Sequence, residues 1–423
     1  MTVDRYARTL PVCITLILTL PAGAATLGIS ADGRFFTIDA VPTYLLGVSY
    51  YGAQTINTPG FVTQDLDDMV ARGFNWIRVW STWDASDTGS GDCSVLTPAG
   101  VVREPYMTRL KTLIAECNSR GIIVDVTMCR GSGGPNNLAE HLAYAQALAT
   151  HLASYTNIYF DIANECDVGD SRYVPPSEIT QIVARCKQYK PGVLCTASQG
   201  ATSASDLYNK YIATGCDFMA PHLCRDQGCA AQTYGTVTDF IAWMSQYGRR
   251  MPVHLQEPFR RGYGSYNPVL DDFLTDCAGG KNAQAAGWCF HNGWNNGNRP
   301  YRCFDMKDSE GRLFAQIDSE EWRVVNQVYG HISGTALASG APVIREVAPD
   351  PATTNVGVQY FRQMVLTQGN PWPAWSILQG PSGAQINSKG QVSWTPTSAD
   401  IGQTRTFEVQ ATNTNGSDTE TWQ

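Results

Sequence analysis

The sequence predicts an α/β protein: a (β/α)₈ barrel followed by a small all-β domain. Three observations carry this. From about residue 28 to 332, short apolar runs alternate with longer amphipathic ones. Eight of the apolar runs have strand character. After Tyr329 the helical period stops, and short strand-like runs separated by turn residues take over.

The eight strand runs are residues 44–50 (YLLGVSY), 75–80 (NWIRVW), 122–128, 158–163, 194–198, 218–221, 252–256 (PVHLQ) and 286–290 (AGWCF). Between them lie helical patterns. Asp65, Leu66, Met69 and Val70 recur at helical spacing after Thr63, read as a cap, and residues 107–119, 138–155, 179–189, 237–247 and 269–277 continue the series. A hairpin over 31–42 (ADGRFFTIDAVP) precedes the first strand and is expected to cover the bottom of the barrel. An open doubly wound sheet is the competing architecture. It calls for a glycine-rich phosphate loop after an early strand, whereas Gly47 to Gly52 (GVSYYG) is not GxGxxG and no P-loop pattern occurs.

The chain has 423 residues, ample for two domains, and is 43% hydrophobic and 16% charged. A net charge of −8 gives no footprint for nucleic acid or an anionic membrane. The 11 Trp and 19 Tyr serve either a large core or flat faces on which sugar rings stack. Residues 1–25 read as an export signal: Arg5 and Arg8, an apolar run over 10–20 too short to span a membrane comfortably, then Ala22-Gly23-Ala24 as a small-x-small cleavage pattern. An uncleaved anchor is the alternative. The expected location is secreted, extracellular or periplasmic, with no membrane attachment once the signal is removed.

Of the 13 cysteines, Cys13 leaves with the signal, and the others fall between Cys93 and Cys303. An even number in an oxidising compartment suits disulfides, though the pairing is not legible and some thiols are free to be buried core. No CxxC occurs. Cys224 and Cys229 are read as stapling a loop rather than binding zinc, and no metal site is expected.

In a barrel of this kind, functional side chains sit where strands enter the loops above the sheet. The fourth strand ends at Asn164-Glu165 in YFDIANECD, and the seventh at Glu257. Strands four and seven lie across the barrel mouth from one another, so their carboxylates can face each other over a bound substrate. Taken singly, a strand-end acid is a salt bridge or a helix cap. Taken as a pair, Glu165 and Glu257 are the apparatus of glycoside hydrolysis, one protonated to donate to the leaving oxygen and one ionised to attack the anomeric carbon. Trp83, Tyr263 and Trp294 lie in loops after strands two, seven and eight, where they either stack on further sugar units or cover the barrel.

Order and motifs resemble the clan of retaining (β/α)₈, or TIM-barrel, glycoside hydrolases typified by family 5 cellulases and mannanases. The resemblance implies that Glu165 is the acid/base, Glu257 the nucleophile, and Asn164 the grip on the sugar 2-hydroxyl. It also implies that Arg78 of FNWIRVW supports the nucleophile, that His222 of FMAPHLC is the strand-six histidine, and that Trp288 of AGWCF is the floor for the sugar. It implies a polysaccharide or oligosaccharide substrate with β-glycosidic bonds and no metal or organic cofactor. The sequence departs from that clan in three places: Cys166 follows the acid/base where proline is usual, Thr127 stands where strand three commonly has histidine, and the tyrosine usual two residues after His222 is replaced by Cys224. These departures motivate a competing reading, a non-catalytic carbohydrate-binding or adhesive protein on a degenerate barrel. An esterase or protease is disfavoured, since neither GxSxG nor HExxH occurs.

Residues 333–357 are rich in Gly, Ala, Pro, Ser and Thr. The catalytic barrel is expected over 26–332, a linker over 333–341 and a β-sandwich over 342–423, with strands at 359–361, 374–377, 391–394 and 406–409. The run from Pro381 to Trp422 resembles the Ig-like repeat appended to secreted bacterial enzymes, which implies a spacer or docking module rather than chemistry.

Overall fold

The computed structural model describes residues 25–85, 91–128, 133–168, 172–200, 202–258, 260–261, 266–291, 311–332, 338–347 and 353–423. Seven barrel strands form one parallel sheet. Strand one is Leu45–Ser49, two is Trp76–Trp80, three Ile123–Thr127, four Ile158–Asp161, five Leu194–Thr196, seven His254–Leu255 and eight Gly287–Phe290. They pair in the order five, four, three, two, one, eight, seven. The predicted sixth strand closes the ring through two parallel bridges, Gln199 with Pro221 and Met219 with Val253. The chain thus folds as a (β/α)₈ barrel.

Helices surround the sheet because their apolar residues fall on one stripe. In Tyr106–Ser119 the buried residues are Met107, Leu110, Leu113, Ile114 and Cys117, the i, i+3, i+4, i+7 spacing of a core-facing face. Helix Leu138–His151 starts where the side chain of Asn137 accepts the Glu140 amide. The first helix differs from its expected start. It runs Phe61–Ala71 behind Gly60, whose φ of 82° only glycine adopts cheaply, so Thr63 lies inside the helix and donates to Glu116 Oε2 at 2.9 Å. After strand five, a short turn Ala204–Asp206 and a wider-wound segment Leu207–Ile212 stand in for a full helix.

The predicted hairpin is a three-stranded sheet, Leu27–Ile29, Phe36–Ile38 and Val41–Thr43, and it does cover the bottom of the barrel. Phe36 is fully buried among inward-pointing rings, 5.0 Å from Phe218 and 5.2 Å from His254. Side chains of a strand alternate between the two faces of the sheet, and here the inward set includes Leu45, Trp76, Ile123 and Tyr159. Trp76 fits inside because Gly47 lies beside it; a Cβ at residue 47 would come within 1.6 Å of the indole.

Beyond helix Ser319–Ile332 the chain is all-β, with small antiparallel sheets around Val392, Trp394, Phe407, Val409 and Trp422. The observed strands Tyr360–Gln363, Ala374–Gln379, Gln391–Trp394 and Phe407–Asn413 overlap the four predicted ones, and Leu366–Asn370 and Gly416–Trp422 add to them. Ala338–Ser339, within the stretch expected to be linker, pairs with Leu366–Asn370. Among the described cysteines one pair is bridged, Cys224–Cys229, and eight are buried free thiols that pack as small apolar residues.

Candidate active site

The upper half of the barrel interior is polar, and Arg78 is its hub. Arg78 is wholly buried on strand two. Its guanidinium bonds Glu257 Oε1, donates to Asp161 Oδ2 and Asn164 Oδ1 at 2.9 Å each, and donates through Nε to Thr127 Oγ1 at 3.2 Å. Asp125 Oδ2 lies 3.2 Å from the same Nε. The departure at Thr127 is therefore part of the support: Thr127 takes a bond from Arg78 and gives one to Asp125 at 2.9 Å. Burial pushes the Asp125 carboxyl up to about 8 against the pull of Arg78. Burial also opposes charge on Arg78, but Glu257, Asp125 and Asp161 hold it firmly protonated.

Glu165 and Glu257 meet above this layer. Glu165 occupies the left-handed backbone region, with φ of 45°, a conformation costing a non-glycine residue of order 1–3 kcal/mol. The turn is held by strand five: the Glu165 amide donates to Ser198 Oγ at 3.0 Å and the Cys166 amide to the Ser198 carbonyl at 2.8 Å. Cys166 points into the core, where burial pushes its thiol up, so it is a packing residue and not a nucleophile. His222 Nδ1 lies 2.9 Å from Glu165 Oε1 and 3.6 Å from Glu257 Oε2. One oxygen of each carboxylate and a ring nitrogen of His222 all fall within 4.8 Å of one another. That spacing is also within reach of a metal ion, but Glu257 already has two guanidinium neighbours, which compete with any cation.

The two acids differ in their surroundings. Glu257 is 5% exposed; burial would raise it, but His222, His291, Arg78 and Arg225 together hold it well below the usual carboxylate range. Glu165 is more open. Burial and the charge of Glu257 push it up, yet its bond to His222 and the nearby Arg225 leave it below its ordinary value. His291 is buried beside Arg260, Arg225 and Arg78, which pushes it well below 6.5 and keeps it neutral near pH 7.

Arg78, Asn164, Glu165, His222 and Glu257 thus converge as the sequence predicts. Trp288 does not. Its side chain points outward to the helix layer, where Nε1 donates to Asp276 Oδ2 of helix Leu270–Asn282 at 2.6 Å. The cause is strand parity: Gly287 and Cys289 face the barrel, so residue 288 faces away. The strand-eight residue at the mouth is His291, 2.9 Å from Ser49 Oγ and 2.8 Å from Tyr51 Oη. Counting by twos from Gly287 would have found it. Trp83 lies at the mouth, its ring 5.9 Å from Tyr51 and near-parallel to it. Tyr263 and Trp294 lie outside the described residues. Sequence reasoning also missed Arg225, whose Nη2 donates to Glu257 Oε2 at 2.8 Å; a loop arginine carries no periodicity that would reveal it.

Residues 39–189 match the profile of a family described as Cellulase (glycosyl hydrolase family 5). Among solved structures, a family 5 mannosidase from Rhizomucor miehei superposes with TM-score 0.53 at 14% identity, over 73% of this chain and 98% of that one. A family 5 glycoside hydrolase from Bacteroides vulgatus gives TM-score 0.58 at 15% identity, over 90% and 91%. The endo-β-1,4-mannanase of Thermotoga petrophila gives 0.50 at 12%, over 90% and 97%. At these identities the likeness is one of fold. No curated protein matches the chain. Fold, profile match and the facing carboxylates define the protein as a glycosidase. Its residues 39–189 are similar to that family, its barrel has the fold of those structures, and an all-β region follows the barrel.

Proposed function

We propose that the protein is a retaining glycoside hydrolase that cleaves β-glycosidic bonds of a polysaccharide or oligosaccharide by double displacement. The supporting observation is the approach of Glu165 and Glu257, whose oxygens come within 4.8 Å. Retention goes with carboxyl groups about 5–5.5 Å apart, whereas inversion needs about 6.5–9.5 Å to admit a water between acid and sugar.

In the first step Glu165 gives its proton to the leaving oxygen while Glu257 attacks the anomeric carbon. The glycosidic C–O bond breaks, the alcohol leaves and a glycosyl–Glu257 ester forms. In the second, Glu165 takes a proton from water, whose oxygen attacks the same carbon and frees Glu257. Arg78 keeps Glu257 ionised and oriented. His222 Nδ1 lies 2.9 Å from Glu165 Oε1, and the acid is loaded when Glu165 carries a proton. A bound sugar favours that state, because it displaces water and raises the cost of a second charge beside Glu257. Asn164, held by Arg78, presents its amide to the sugar, and Trp83 with Tyr51 offers an aromatic wall for neighbouring units.

The substrate class is a β-linked backbone, β-mannan or β-glucan, on the strength of the family profile and the mannanase among the similar folds. Export is inferred from Arg5, Arg8, the apolar run over 10–20 and Ala22-Gly23-Ala24. The C-terminal strands are assigned as an Ig-like spacer or docking module. A reducing-sugar screen across β-linked polysaccharides with wild type, Glu165→Ala and Glu257→Ala tests the reading. Wild type should release sugar from at least one, and both variants should lose on the order of 10³-fold on it. Wild-type turnover by either variant would refute the assigned roles.

A further inference from the structure

Cys224 stands where the clan's strand-six tyrosine is usual, and its partner is Cys229, five residues on. Cys229 is buried at the start of the turn Cys229–Gln232, which leads into helix Thr233–Gln246; Cys224 is exposed. The bridge therefore ties the end of strand six to a fixed helix start and leaves residues 225–228 as a small closed loop. Arg225 is the first residue of that loop. Besides its 2.8 Å bond to Glu257 Oε2, its Nε donates to the carbonyl of Pro258 at 3.2 Å. Arg225 thus grips the same strand end at two points, the Glu257 carboxylate and the backbone beside it. Arg78 holds the other oxygen, Oε1.

An arginine that merely paired with a surface acid would need neither the second contact nor the tether. Holding a free arginine in one geometry forfeits side-chain entropy; a closed loop leaves less backbone freedom to lose as well. Resting on the reading of Glu257 as nucleophile, we propose that Arg225 is a positioning residue for Glu257 and that the Cys224–Cys229 bridge keeps it in place. Replacement of tyrosine by Cys224 then exchanges a hydroxyl beside the nucleophile for a disulfide-held guanidinium. With the bridge open, the two-point grip of Arg225 loosens, while Arg78 still holds Oε1. Among the described residues, the titratable groups facing Glu257 include Tyr51, Arg78, Glu165, His222, Arg225, Cys289 and His291, with Arg260 behind His291. Tyr51 and His291 are neutral near pH 7, and among the described residues Arg225 and Arg78 are permanent cations in contact with Glu257.

The test uses the full chain and a 2,4-dinitrophenyl β-glycoside, whose leaving group needs no acid, so the rate reports the nucleophile. Arg225→Ala is expected to lose on the order of 10²-fold in kcat with a smaller change in KM. Its acidic limb should move to higher pH, since losing a cation makes Glu257 easier to protonate. Arg225→Lys should recover the limb more than the rate, because it restores charge without the two-point grip. The Cys224→Ser/Cys229→Ser variant should show the same signs as Arg225→Ala. Excess dithiothreitol, which converts the bridge to two thiols and is itself oxidised to a cyclic disulfide, should reproduce this in wild type and do nothing to the serine variant. Thermal midpoints establish that each variant is folded. An unchanged acidic limb in folded Arg225→Ala overturns the role of Arg225, and wild-type kcat in the serine variant overturns that of the bridge. Loss of turnover in Glu257→Ala beside either result leaves the nucleophile reading standing; wild-type turnover in Glu257→Ala defeats both.

Discussion

At the lower end of the barrel, Phe36 reaches in from the hairpin and packs against the rings of Phe218, Tyr159 and His254. At the upper end, the same strands present Arg78, Asp125, Asp161, Glu165 and Glu257 around shared hydrogen bonds. The lower end can be sealed because nothing must enter there, and apolar burial stabilises it without regard to direction. The upper end has to remain charged while buried, so each acid needs a donor aimed at it. The two ends should therefore respond differently to mutation: the floor through stability, the mouth through activity and pH.

The largest effect is expected at Arg78. Arg78→Ala leaves Asp125, Asp161 and Glu257 without their shared counter-charge, which should destabilise the fold by about 3–5 kcal/mol. Arg78→Lys keeps a charge but not the fork, and should fold yet lose at least about 10²-fold in kcat/KM. Urea titration and steady-state kinetics check the pair; a Lys variant with wild-type kinetics would remove Arg78 from the account. Phe36→Ala opens a cavity in the floor and should destabilise by about 3–5 kcal/mol. Its KM should not move, and a raised KM would mean that the two ends are coupled.

Trp288→Phe sharpens the boundary of the site. It removes the donor to buried Asp276, which burial pushes up to about 6, and should cost about 1–3 kcal/mol by thermal unfolding with KM unchanged. A KM increase would restore Trp288 to the sugar site. The smallest effect is a shift in a pH profile. His222→Ala takes away the bond and charge that hold Glu165 below its ordinary value, leaving the upward push of burial. Glu165 should then keep its proton to higher pH, and the alkaline limb of kcat/KM should move up; a downward shift would contradict the assignment of Glu165 as acid.

Much of the fold was legible because alternation of strand and helix is a local pattern. Residues 75–80 and 122–128 were recognised to within a residue or two of the strands observed. The two carboxylates were legible for a different reason: a barrel turns strand ends into a ring, so Glu165 and Glu257 could be placed from chain order alone. What failed depends on parity and on loops. Trp288 was assigned to the sugar through the resemblance to the clan, yet its position on strand eight turns it outward, and His291 faces the mouth instead. Arg225 lies in a loop whose course is set by the Cys224–Cys229 bridge, and no period in the sequence encodes that course. The cysteine count left the pairing open: the Cys224–Cys229 staple formed as expected, and eight described thiols are core.

The stretch YFDIANECD shows both outcomes. Its strand and its Asn-Glu ending were readable, while the left-handed turn at Glu165 and the inward packing of Cys166 appear only when strand five supplies Ser198 to hold them. The central claim, double displacement through Glu257, is tested most directly by proton NMR of the first-formed sugar anomer during hydrolysis of a β-linked substrate. The β-anomer should appear first and the α-anomer only later by mutarotation. Initial release of the α-anomer would mean inversion and would contradict that claim.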